Sequence, residues 1–65
     1  MKVRDVIALI EANGWRFDRQ VGSHRQYRHP GKPGTVTISG QLGKDMKPGT
    51  LASVRRQAGL QERKP

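Results

Sequence analysis

Two histidines, His24 and His29, are the side chains of this sequence whose ordinary titration falls near neutral pH. They sit on a stretch that reads as extended, with opposite parity, so they are not expected to share a metal. His24 is the candidate for chemistry. An imidazole there can take a proton from a ribose 2′-hydroxyl or return one to a leaving oxygen. RNA carries its own nucleophile, so a single acid or base beside cationic stabilisers suffices for cleavage with neither metal nor cofactor. From spacing alone, an exposed histidine in a basic chain is more often a surface residue or a hydrogen-bonding contact. Spacing alone favours that plainer reading.

Other constellations carry less. Ser23 beside His24 is no catalytic dyad, because neighbours on an extended chain point to opposite faces. Asp5, Glu11, Asp18, Asp45 and Glu62 are dispersed, whereas two-metal nuclease chemistry needs clustered carboxylates. Gly31 to Gly34 precede no helix and so make no phosphate-cradling loop. Trp15, after a helix-stopping glycine, reads as core and not as a stacking platform. No metal and no cofactor is expected.

Charge supplies the second signal. Thirteen Lys and Arg against five Asp and Glu give a formal net charge of +8 in 65 residues. Such a field steers polyanions toward the surface, and nucleic acid is the usual partner. The stretch from Arg16 to Lys47 holds Arg16, Arg19, Arg25, Arg28, Lys32, Lys44 and Lys47 against Asp18 and Asp45. Phosphate contacts of that kind give affinity and position without reading sequence. The candidate RNA contacts are Ser23, Arg25, Gln26, Arg28, Lys44 and Lys47. A solvated surface that keeps a small chain dissolved accounts for several cations equally well. An acidic protein partner is a third possibility. A membrane-surface role is set aside, because the first helix carries too few cations.

These side chains need elements to hold them. Val3, Val6, Ile7 and Ile10 follow helical spacing, which predicts a helix over residues 3–13, stopped by Gly14. Trp15, Phe17, Arg19 and Val21 share one parity and predict a half-buried strand. Gly22 and Ser23 turn the chain into a second strand, His24 to His29. Pro30 to Gly34 reads as a loop, and Thr35 to Ser39 as a third strand with Val36 and Ile38 inward. Gly40 to Lys47 is a polar connection. A last helix begins near Pro48, buries Leu51, Val54 and Ala58, and closes at Gly59. The predicted fold class is α+β: helix, three-stranded antiparallel meander, helix, with both helices on one face of the sheet.

Tyr27 is the natural core residue of the second strand, with Arg25 and His29 on its parity. His24, Gln26 and Arg28 then face the open side. One domain spans residues 1–60, with a charged, frayed tail over 61–65. The core is thin, since hydrophobic residues are 32% of the chain, and a stabilising partner is expected. The apolar stretch near the start is interrupted by Asp5 and Glu11 and is too short to span a bilayer. The absence of cysteine points to the cytoplasm.

Taken in order, Gly14-Trp15, Gly22-Ser23-His24, Tyr27 and His29-Pro30, then Gly49-Thr50-Leu51 and Arg56-Gln57-Ala58-Gly59-Leu60, resemble the HicA, or YcfA-like, toxins. The resemblance covers Val3 to Leu60. It implies a double-stranded-RNA-binding-like α-β-β-β-α fold and a metal-independent ribonuclease that cleaves messenger RNA and blocks translation. It also implies that the histidine of the Gly-Ser-His motif, His24, is catalytic, and that a HicB-type antitoxin covers the active face. Many relatives carry a second histidine after the third strand in a Pro-x-His segment. Here that stretch reads Ser39-Gly40-Gln41. Glutamine donates a hydrogen bond but does not shuttle protons at neutral pH, a departure that bears on rate more than on reaction class.

Overall fold

The computed structural model describes residues 1–60, so the charged tail expected over 61–65 lies outside the described residues. The element order is α1 (Val3–Ala12), β1 (Arg16–Val21), β2 (His24–His29), β3 (Lys32–Ser39) and α2 (Pro48–Gln57). The strands form one antiparallel sheet in the order β1-β2-β3, the α-β-β-β-α arrangement expected.

A single core joins the layers. Val3, Val6 and Ile10 of α1 and Val54 of α2, with Ala58, meet Tyr27, Val36 and Ile38 of the sheet, with Trp15 and Met46 closing the margins. Burying an aliphatic or aromatic side chain of this size contributes about 1.5–3 kcal/mol. All of these residues lie on one side of the sheet, so the other side carries no helix.

Helix ends are secured by specific bonds. The Asp5 carboxylate accepts the Lys2 backbone N–H at 3.0 Å, satisfying the residue that caps α1. The next two free donors, Val3 and Arg4 N–H, are taken by the carbonyls of Lys44 (2.8 Å) and Leu42 (3.1 Å). The 40–47 connection is thus fastened to α1, and Met46 within it is buried. At the other end Gly14 N–H donates to Glu11 and Trp15 N–H to Ile10, closing α1 in a Schellman motif. The same pair of bonds closes α2 at Gly59 and Leu60.

The strand readings need two corrections. β1 is exposed along its whole length, not half-buried, and its pairing with β2 slips between Phe17 and Arg19. Asp18 is the extra residue of a bulge, so Phe17 shares the Tyr27 face while Arg19 and Val21 turn to the helix-free face. β3 begins at Lys32 and not at Thr35, because it is an edge strand, where the missing N–H of Pro33 breaks no ladder bond.

Burial raises the Tyr27 phenol above its usual value, with Glu11 adding to the effect and Arg25 opposing it. The native state therefore holds this proton more tightly than the unfolded chain. Below the unfolded value of about 10 both states are neutral and the benefit of burial is complete; above it the unfolded chain ionises first and stability falls. Urea denaturation of wild type and Tyr27→Phe on either side of that pH checks this. The wild type is expected to lose more stability than the variant on crossing it, and equal losses would count against the Tyr27 assignment.

Candidate functional site

Cross-strand register places the side chains of the helix-free face in rows. Val21, His24 and Ser39 form the first row, at the end of the sheet beside the turn. Arg19, Gln26 and Thr37 form the second, and Arg16 with Arg28 the third. His24 opens β2 and is exposed. It follows a two-residue turn in which Gly22 has φ +60, as a type II′ hairpin requires at its first central position. That tight turn fixes which residue pairs with His24, and so the imidazole's place in the row.

The remaining candidates divide between the two faces. Ser23 is exposed in the turn, adjacent to His24. Gln26 and Arg28 lie on the His24 face, as their parity requires. Arg25 lies on the helix side, paired with Ile38, and donates from Nη1 to the Gly40 carbonyl at 2.8 Å. The bond ties the 40–47 connection to β2. Lys44 and Lys47 are exposed on that connection, which leaves the sheet at the row of His24; Lys47 is also the residue before α2. Gln41 follows the strand end in the same segment and is exposed.

Parity alone puts Arg19 with Phe17 on the core side. The bulge moves it beside Gln26, so Arg19 and Arg16 join the helix-free face. The only local sign is Asp18, an acidic residue within a strand run, and it is weak. Lys32 leaves the set of free cations, because its ammonium donates to the Ala58 carbonyl at 3.3 Å, beside the Trp15 Nε1 bond to the same oxygen at 3.2 Å.

His29 has a different employment from His24. Its Nδ1 accepts the Gly31 N–H at 2.8 Å, so Nε2 carries the proton donated to the Asn13 carbonyl at 2.9 Å. Its ring meets Trp15 edge-on, with centroids 5.2 Å apart. It is a fastening between α1 and β2. No group of three or more metal-ligating side chains occurs among the described residues, and no described helix is long and apolar enough to cross a membrane.

The face thus offers one exposed imidazole, an amide, hydroxyls and three guanidiniums, positioned by a turn and a bulge. A search of curated proteins finds no match. The family described as HicA toxin of bacterial toxin–antitoxin systems matches residues 3–60, nearly the whole chain and every element described above. Membership implies an antitoxin as partner. With the fold, the motif order and the extent of that match in agreement, the chain belongs to the HicA toxin family of bacterial toxin–antitoxin systems.

Proposed function

We propose that the chain is a metal-independent endoribonuclease that cleaves messenger RNA in the cytoplasm and blocks translation, with His24 as its acid–base group. The observation that carries this reading is an exposed imidazole on a helix-free face that also presents Arg16, Arg19 and Arg28. In the proposed step the imidazole takes the proton of a ribose 2′-hydroxyl. The 2′-oxygen bonds to phosphorus, and the bond to the 5′-oxygen breaks. The leaving oxygen takes a proton from the imidazolium or from water, giving a cyclic phosphate and a 5′-hydroxyl end. The Arg19 guanidinium, in the row next to His24, offsets part of the charge that builds on the phosphoryl oxygens. Ser23, Gln26, Arg28, Lys44 and Lys47 are the proposed RNA contacts; Arg25 contributes through its hold on Gly40. A HicB-type antitoxin is the proposed partner, covering the same face.

A non-catalytic RNA-binding domain is the second reading. It is favoured by Gln41, which stands where many relatives carry a histidine and leaves His24 as the one imidazole on the open face. Incubating the purified protein with a single-stranded transcript, with and without EDTA, separates the two. Cleavage that survives the chelator and leaves cyclic phosphate ends supports the nuclease. An intact transcript that is nevertheless bound, with salt-sensitive affinity, supports the second reading.

A further inference from the structure

The direct juxtaposition of Arg16 and Arg28 is a feature that the fold does not need. Their Cα atoms are direct partners in the β1–β2 register. The adjacent pair, Phe17 and Tyr27, meets edge-on with ring centroids 5.8 Å apart on the other side of the sheet, which fixes both arginines on the helix-free face. Both are exposed. Like charges placed directly opposite in an antiparallel pair weaken the sheet. Among the described residues the one ion pair joins Lys2 to Asp45, so no described carboxylate relieves either guanidinium. An anion held between them would.

We infer that Arg16 and Arg28 together form a subsite for a non-scissile phosphate of single-stranded RNA, distinct from the phosphate attacked at His24; the inference rests on the proposed cleavage reading. His24 and Arg28 lie four residue steps apart along one strand, about 13 Å. An unstacked strand covers that span in about two nucleotide steps. Each guanidinium presents parallel N–H donors that match phosphate oxygens. Gln26 and Thr37 lie between the two positions on the same face, an amide and a hydroxyl for the intervening sugar or base edge. The RNA therefore runs along β2 and not across the sheet, and a dinucleotide is too short to engage both ends of the site.

The test compares cleavage of a dinucleotide with cleavage of a longer single-stranded oligonucleotide by wild type and by the double variant Arg16→Gln, Arg28→Gln. The ratio of kcat/KM, long over short, is expected to fall about ten-fold in the variant, the size of one lost charge-assisted contact. A ratio equal to that of wild type overturns the subsite. The double variant Arg4→Gln, Arg56→Gln, two exposed cations on α1 and α2, serves as the charge control, and an equal fall there would assign the effect to net charge and also overturn it. Should wild type cleave neither substrate, the cleavage reading fails on its own and binding decides the subsite. The slope of log affinity against log salt is then expected to drop by about 0.7 in the double variant, the value for one phosphate on a single strand, and an unchanged slope overturns the proposal. The thermal midpoint of the double variant is expected at or above that of wild type, since a repulsion has been removed. A lower midpoint would mean that the pair supports the sheet, and the premise would fall.

Discussion

His24→Ala is expected to leave a folded protein that still binds RNA but cleaves it roughly a hundred to ten thousand times more slowly, the range a positioned acid–base group supplies. The side chain is exposed and its neighbours across the strands, Val21 and Ser39, are exposed as well. Removing it opens no cavity, so stability is expected to stay within about 0.5 kcal/mol of wild type. Expression of the chain alone should stop growth, and the variant should restore it. Three measurements on the same preparation make the result decisive: thermal midpoint, RNA affinity and cleavage rate. A folded variant that binds and cleaves like wild type would remove His24 from the mechanism. A variant that binds normally and does not cleave ties the loss to proton transfer, because the guanidiniums that hold the strand are untouched.

What could be read from the residues depended on whether burial selected the register. α1 and β2 were legible because each has a buried face. Val3, Val6 and Ile10 repeat at helical spacing, and Tyr27, buried at 3% exposure, fixes the parity that sends His24, Gln26 and Arg28 outward. β1 has no such anchor. It is exposed throughout, so alternation among Phe17, Arg19 and Val21 carried no information about which face is which, and the bulge at Asp18 inverted it. The early start of β3 was hidden for a related reason: proline and glycine signal turns locally, while tolerance of Pro33 depends on β3 lying at the sheet edge, a property of the assembled sheet. The roles of Arg25 and His29 rest on bonds to Gly40 and Asn13, partners set by tertiary contact and not by spacing. His24 was therefore visible as a candidate, whereas the arginines that flank its row were only a charge run until the sheet register placed them.

Gly14→Ala is expected to remove a large share of the stability of the domain. The residue has φ +94, and a Cβ built there would lie 2.6 Å from His29 Nε2 and 3.2 Å from its Cδ2. The imidazole has little room to retreat, because it is bonded to Asn13 and Gly31 and packed against Trp15. A left-handed backbone costs a non-glycine residue about 1–2 kcal/mol. Displacing His29 adds two lost hydrogen bonds at about 0.5–1.5 kcal/mol each. Lower entropy of the unfolded alanine chain offsets only about 0.4–1 kcal/mol of this. The net loss, about 2–4 kcal/mol, is a large share of the roughly 3–10 kcal/mol that marginal stability allows a chain of this length. Gly22→Ala provides the comparison, since Gly22 also has positive φ (+60) but nothing within 4 Å of its Cβ position. Its cost should be the dihedral alone. Urea unfolding of both variants, and of Gly14→Ala in a His29→Ala background, separates the two contributions. The glycine substitution should cost about 1–2 kcal/mol less once the imidazole is gone, a coupling of the size contacting residues show. Equal costs at positions 14 and 22, with no coupling to His29, would mean that the close approach between α1 and β2 does not restrain the fold.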